Sequence, residues 1–229
     1  MRARRCFAIV SVLAVVAALG FAGGGVSASP VICDINGTPG DDVLTGTAAD
    51  ESICSFEGND TIRGGGGDDY ILGGPGNDWI KGGGGSDGIY GEEDDDTLQG
   101  NPGNDYLNGG SGVDLASYIG AASDMDISLA LSYGTSVSEG YDTLTGIENV
   151  EGSPFPDNIE GDGGDNSLWG WDGNDYIYGY GGNDQLRGGS GSDKLYGDTG
   201  SDWMKGGADT DTCTDPDGGA YDGSCEPTP

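Results

Sequence analysis

"GGPGNDWIK", residues 73–81, holds three glycines, one proline and a single aliphatic, Ile80. It has neither the 3.6-residue apolar period of a core helix nor the apolar run of an ordinary core strand. Its neighbours share its outline: "GGGGDDYIL" (64–72) before it and "GGGGSDGIY" (82–90) after it. Shifted against itself by nine residues, the chain resolves into nine contiguous nonapeptides from Gly37 to Ser117 and seven more from Gly152 to Thr214. With each numbered 1 to 9, position 8 is Leu or Ile in thirteen of sixteen, the exceptions being Ala116, Met204 and Cys213. Position 6 is Asp in fourteen, with Glu51 and Asn166 as exceptions, and position 4 is Gly in twelve. A disordered, acidic, glycine-rich chain has no reason to keep that phase.

Each position has a physical reading. Glycines at 1, 2 and 4 permit positive φ and close backbone approach, so positions 1 to 6 predict a tight turn. Positions 7 to 9 predict a very short strand whose alternation sends position 8 inward and 7 and 9 outward. One aliphatic in nine cannot make a core alone. Rungs stacked about 4.8 Å apart turn these singletons into Leu/Ile ladders, each rung stabilised by its neighbours. Aspartates stacked at the same spacing repel unless a cation lies between them. Ca²⁺ wants about six to eight oxygens, carboxylate and carbonyl alike, and glycine-rich turns expose carbonyls.

The outline G-G-x-G-x-D-x-U-x resembles the RTX, or hemolysin-type calcium-binding, nonapeptide. "GGPGNDWIK", "GGGGDDYIL" and "GGSGSDKLY" (188–196) match it at every key position. The resemblance implies an all-β fold, a parallel β-roll (right-handed β-solenoid) with two nonapeptides per turn, here in two segments with a short β spacer. It implies calcium between turns, held by position-6 aspartates of repeats n and n+2 and by turn carbonyls. Carried over only where Asp is present, the ligands are Asp42, Asp60, Asp69, Asp78, Asp87, Asp96, Asp105 and Asp114, then Asp157, Asp175, Asp184, Asp193, Asp202 and Asp211. The n with n+2 pairing gives about ten Ca²⁺ sites, six then four. Asp94 and Asp209 stand where Gly is expected at position 4. A chain so acidic predicts an expanded calcium-free state, with binding and folding inseparable.

The chain opens with "MRARR" (1–5), an apolar run "CFAIVSVLAVVAALGFA" (6–22) and "VSA" (26–28). This is the pattern of a signal peptide cleaved after Ala28, and the run is short for a membrane span. The expected organisation is a signal peptide at 1–28, an N-terminal cap at 29–36, a first roll at 37–117, a β spacer at 118–151, a second roll at 152–214 and a C-terminal cap at 215–229. The expected location is secreted and extracellular, with cell-surface association as an option. The mature chain keeps five bases against 40 acids, a formal charge of −35. That charge repels nucleic acid and anionic membranes, and the partner it favours is a cation.

Four cysteines remain after cleavage, and an even count in an exported chain suggests two disulfides among three connectivities. The local pairing, Cys33 with Cys54 and Cys213 with Cys225, would staple both ends of a solenoid. Within the spacer, "MDISLAL" (125–131) predicts a longer strand with Ile127, Leu129 and Leu131 on one face. The absence of histidine excludes HExxH zinc sites and Ser-His-Asp triads. The repeats begin soon after the expected cleavage site, so no catalytic residue is assigned and the chain is expected not to be an enzyme. Outward aromatics such as Tyr178 and Tyr196 admit two readings: a cover for a thin roll, or a row binding cell-surface polysaccharide, which would make the chain a calcium-dependent adhesin or cell-wall component.

Overall fold

The computed structural model describes residues 33–227. The expected signal peptide and its cleavage point lie outside the described residues, as do residues 29–32 and 228–229. Every regular element among the described residues is a β-strand, and none of their segments is a helix long and apolar enough to cross a membrane. Within the repeats, successive strands alternate between two sheets. One has ten strands, from Val43–Thr45 to Ala220–Tyr221; the other has thirteen, from Ile35–Asn36 to Cys225–Pro227.

Within the repeats, neighbouring strands are parallel and offset by 18 residues. Ile62 lies beside Ile80, and Ile80 beside Leu98. In the other sheet Ile53, Ile71, Ile89 and Leu107 follow one another. A turn is therefore two nonapeptides, and the position-8 side chains form two facing ladders. From Ile53 to Met204 every position-8 side chain of the repeats is 0 % exposed. Ile80→Ala is expected to cost about 2–5 kcal/mol, because rungs fixed on both sides cannot collapse into the space it leaves. Denaturant melts in saturating calcium check this.

Two local expectations change. Strands such as Thr61–Gly66 and Trp79–Gly84 continue through positions 1 to 3 of the next repeat, so the tight turn is confined to positions 4 to 6. Position 6 also points inward, and Asp60, Asp78 and Asp96 are nearly as buried as the aliphatics beside them. Alternation carried back from position 8 to position 6 explains why.

Between the blocks, Leu115–Ser117 pairs directly with Asn149–Glu151, which pairs with Ser167–Asp172, all parallel. The ten-stranded sheet thus passes through without a break, and repeats from both blocks share one stack. In the other sheet the chain first lays Asp126–Ser128 against Asn158–Glu160. It returns antiparallel through Tyr133–Ser136, then places Gly140–Thr145 parallel against Tyr106–Ser111. The predicted long strand stops at Ser128: the Ser128 hydroxyl accepts the Leu131 N–H (3.2 Å), and Ser132 takes φ 61° to reverse the chain. Ile127 and Leu129 are buried, but Leu131 lies in that turn and is exposed. Tyr118 fills the interior beside the reversal, its hydroxyl occupying the space a side chain at Gly134 would need.

Disulfides join Cys33 to Cys54 (Cα–Cα 5.9 Å) and Cys213 to Cys225 (Cα–Cα 5.5 Å). Each closes a short loop at one end of the stack, where a rung has a neighbour on one side only. On the chain-entropy account each is worth about 3 kcal/mol.

Candidate metal centre

Within each block the position-6 aspartates form two carboxylate ladders, one on each sheet. In each, Oδ1 accepts the backbone N–H of the aspartate one turn earlier: Asp60 N–H to Asp78, Asp78 N–H to Asp96 (both 2.8 Å) and Asp175 N–H to Asp193 (2.9 Å). That bond holds one oxygen in place and leaves the other free of the sheet. The Oδ2 atoms of Asp60, Asp69, Asp78, Asp87, Asp96, Asp105 and Asp114 are buried without a hydrogen-bond partner, as are those of Asp175, Asp184, Asp193, Asp202 and Asp211. Leaving one buried charged oxygen unsatisfied costs several kcal/mol, and here a whole row is unsatisfied.

The space beside these oxygens is shaped by position-1 glycine. A Cβ on Gly73 would strike Asp78 Oδ2 and also the carbonyl oxygen of Gly91, one turn on. Carboxylate and carbonyl oxygens thus converge on a cradle beside position 1, which is glycine in every repeat but the third, where the Ser55 hydroxyl donates to the Gly73 carbonyl. Among the described residues no three Asp, Glu, Cys or His side chains gather at one point. A cation here would draw on one or two carboxylates and on carbonyls. That is an all-oxygen donor set, and it suits a hard cation such as Ca²⁺.

Electrostatics say the same. Burial, reinforced by neighbouring carboxylates and partly offset by the N–H bond, pushes Asp78 and Asp175 up to about 7 and Asp96 and Asp105 up to about 8. Such groups hold a proton or a cation near neutral pH more readily than a bare charge.

Of the fourteen predicted ligands, twelve share this geometry and two do not. Asp42 Oδ2 accepts the Thr38 N–H and hydroxyl. Asp157 is bonded by the Ser153 N–H and hydroxyl. At position 4, Asp94 and Asp209 take φ 74° and 76°, so their turns stay left-handed like those built on glycine.

The nonapeptide count missed three features. Asp142 Oδ1 accepts the Asp105 N–H (3.0 Å) and Glu148 Oε2 accepts the Asp114 N–H (2.8 Å), carrying both ladders into the interruption. Their signal is the spacing D-x-U in Asp142-Thr143-Leu144 and E-x-U in Glu148-Asn149-Val150. The third is a ladder at position 5, running opposite in polarity: the Asn77 N–H bonds Asn59 Oδ1 (2.9 Å) and the Ser86 N–H bonds Asp68 Oδ1 (2.8 Å). Asp, Asn or Ser fills position 5 in thirteen of sixteen repeats, a regularity visible in the sequence.

The profile of the RTX calcium-binding nonapeptide repeat (four copies) matches residues 34–54, 55–89, 82–116, 151–186 and 178–213, more than half of the chain. No curated protein matches the chain. With the repeat, the parallel stack and the carboxylate ladders in agreement, the chain belongs to the RTX calcium-binding nonapeptide repeat family.

Proposed function

We propose that this chain is an exported, non-catalytic calcium-binding β-roll that folds when Ca²⁺ enters its carboxylate ladders. The observation that carries the reading is the row of buried Oδ2 atoms without partners. A fold that needs those oxygens desolvated at neutral pH needs a counter-charge, and about ten Ca²⁺ ions would supply about +20. The two terminal disulfides suit an oxidising compartment. The ladder carboxylates have a role in this reading that calls for no acid–base chemistry.

The carbohydrate alternative draws no support from the outer face. A sugar stacks on a free ring face, yet Tyr178 and Tyr196 stack on each other (centroids 4.7 Å, planes 6° apart). Tyr90 lies between Tyr70 and Tyr106 at 5.1 and 5.5 Å. Arg63 covers Trp79, and Arg187 lies over both Trp169 and Trp203. These contacts fit aromatics and basic stems covering a thin roll.

Calcium titration calorimetry on residues 29–229 tests the reading. About ten ions per chain are expected from one carboxylate pair per site; a count near two would overturn the ladder model. Mg²⁺ is expected to compete poorly, since it demands tight octahedral geometry and keeps its waters.

A further inference from the structure

Resting on that calcium reading, we propose that the metal ladder follows the hydrogen bonding of each acid within its own turn rather than the nonapeptide motif. It continues into the interruption at Asp142, and it skips the first turn of each block, where the protein itself satisfies Asp42 and Asp157.

Two features that need not agree coincide. The first is the state of the position-6 side chain. Asp42, Glu51, Asp157 and Asn166 each accept the N–H of position 2 of their own repeat, from Thr38, Thr47, Ser153 and Asp162. The second is the backbone at position 2. It is left-handed in the other twelve repeats, whether the residue is Gly74 (φ 108°), Phe56 (φ 77°) or Trp171 (φ 77°), and in these four it is not. In the left-handed turns the N–H goes elsewhere, as when Gly83 donates to the Gly100 carbonyl one turn on (3.0 Å). Turns of that kind leave the carboxylate oxygen open, and turns of the other kind close it. Asp42 holds the N–H and the hydroxyl on Oδ2, and Asp157 holds them on its two oxygens, so neither carboxylate needs a cation.

Asp142 has the open side-chain state although it lies in no nonapeptide and Ser138, four residues before it, is not left-handed: the Ser138 N–H bonds the Ser136 hydroxyl (3.2 Å) and not the carboxylate. Gly140 takes φ 94°, and a Cβ there would strike the Gly103 carbonyl, as at other position-4 glycines. The Tyr141 N–H bonds Asn104 Oδ1 (2.9 Å), continuing the position-5 ladder. Leu144 lies beside Leu107, continuing the aliphatic ladder. Asp142 is 0 % exposed and its Oδ2 has no partner. On its far side stands the buried Tyr118 hydroxyl instead of another nonapeptide, near enough to Asp142 for the two to interact directly. The Asp142 carboxylate, the phenol oxygen and the Asp105 carboxylate one turn back are thus neighbours at the junction. The ion assigned there is Ca²⁺, taken by Asp105 and Asp142 with the phenol oxygen at hand.

Equilibrium dialysis of ⁴⁵Ca²⁺ against single variants tests this. Asp78→Asn, in an open turn, serves as the reference for losing a site. Asp142→Asn is expected to lose about half as many ions as Asp78→Asn, because Asp78 belongs to two carboxylate pairs and Asp142 to one, and Asp42→Asn and Asp157→Asn none. Full retention by Asp142→Asn, or a loss in Asp157→Asn equal to the one expected of Asp142→Asn, overturns the inference while leaving the calcium reading intact. Full retention by Asp78→Asn as well would overturn both. Wild-type crystals soaked in Tb³⁺ give a readout independent of variant folding. Anomalous peaks are expected between Asp105 and Asp142 and absent beside Asp42 and Asp157; the reverse pattern overturns the assignment.

Discussion

Chelating calcium from residues 29–229 at neutral pH is expected to remove most of their β-sheet circular dichroism, and re-adding calcium to restore it. Twelve aspartates of the repeats place Oδ2 in the interior without a partner. Each Leu or Ile ladder residue contributes only about 1.5–3 kcal/mol by burial, a gain that unscreened stacked carboxylates can cancel. Acid supplies a second arm. The unfolded carboxylates titrate near pH 4, whereas burial raises Asp78 and Asp175 to about 7 and Asp96 and Asp105 to about 8 in the fold. Between those values the folded state binds more protons than the unfolded chain, so the stability of the calcium-free roll falls as pH rises. Its proton-linked stability is fully present below about pH 4 and is lost by about pH 8. The metal-free chain should therefore regain β-signal on acidification, and calcium should bind more weakly there because protons compete for the same oxygens. A β-signal unchanged by chelator at pH 7.5 would falsify the argument.

How much of this was legible in the sequence follows from what each feature depends on. The aliphatic ladders were legible because burial forces an apolar residue at one fixed phase, from Ile53 through Met204. The carboxylate ladders were legible as residues, but their inward direction came only with the strand register. Asp142 and Glu148 escaped because the count demanded nine residues per repeat. At the junction the aliphatic positions Leu144 and Val150 lie six apart, so the repeat length changes while the two-residue step from acid to aliphatic survives. Pairing, not period, defines a rung. The distinction between open and closed turns was legible in part. Thr38, Thr47 and Ser153 carry a hydroxyl at position 2 that bonds the position-6 acid, and none of the twelve open repeats has Ser or Thr there. Asp162 escaped: Asp198 is the same residue at the same position, yet it has φ 68° and Asp162 is not left-handed.

The adjacent glycines 84 and 85 are expected to respond oppositely to the same change. Gly84 is position 3: a Cβ built on it meets nothing within 4 Å, and its φ lies outside the left-handed region. Pro75, Glu93 and Ser111 already place side chains at that position. Gly84→Ala should therefore stay within about 0.5 kcal/mol of wild type, or gain up to about 1 kcal/mol by stiffening the unfolded chain. Gly85 is position 4, with φ 135°, and a Cβ there would overlap the carbonyl oxygen of Gly67 in the turn before. Relief means moving backbone that is itself held by the next rung, since the Gly85 N–H bonds the Pro102 carbonyl (3.1 Å). Asp94 and Asp209 carry side chains at position 4 only with φ near 75° instead. Reaching that conformation in the middle of the stack should cost Gly85→Ala roughly 3 kcal/mol, the strain of a left-handed non-glycine residue plus a displaced carbonyl. Guanidinium melts of both variants in saturating calcium compare them directly. Equal midpoints would mean that the turn relaxes freely between rungs, and the glycines would then be serving flexibility rather than the close approach of one carbonyl row to the next.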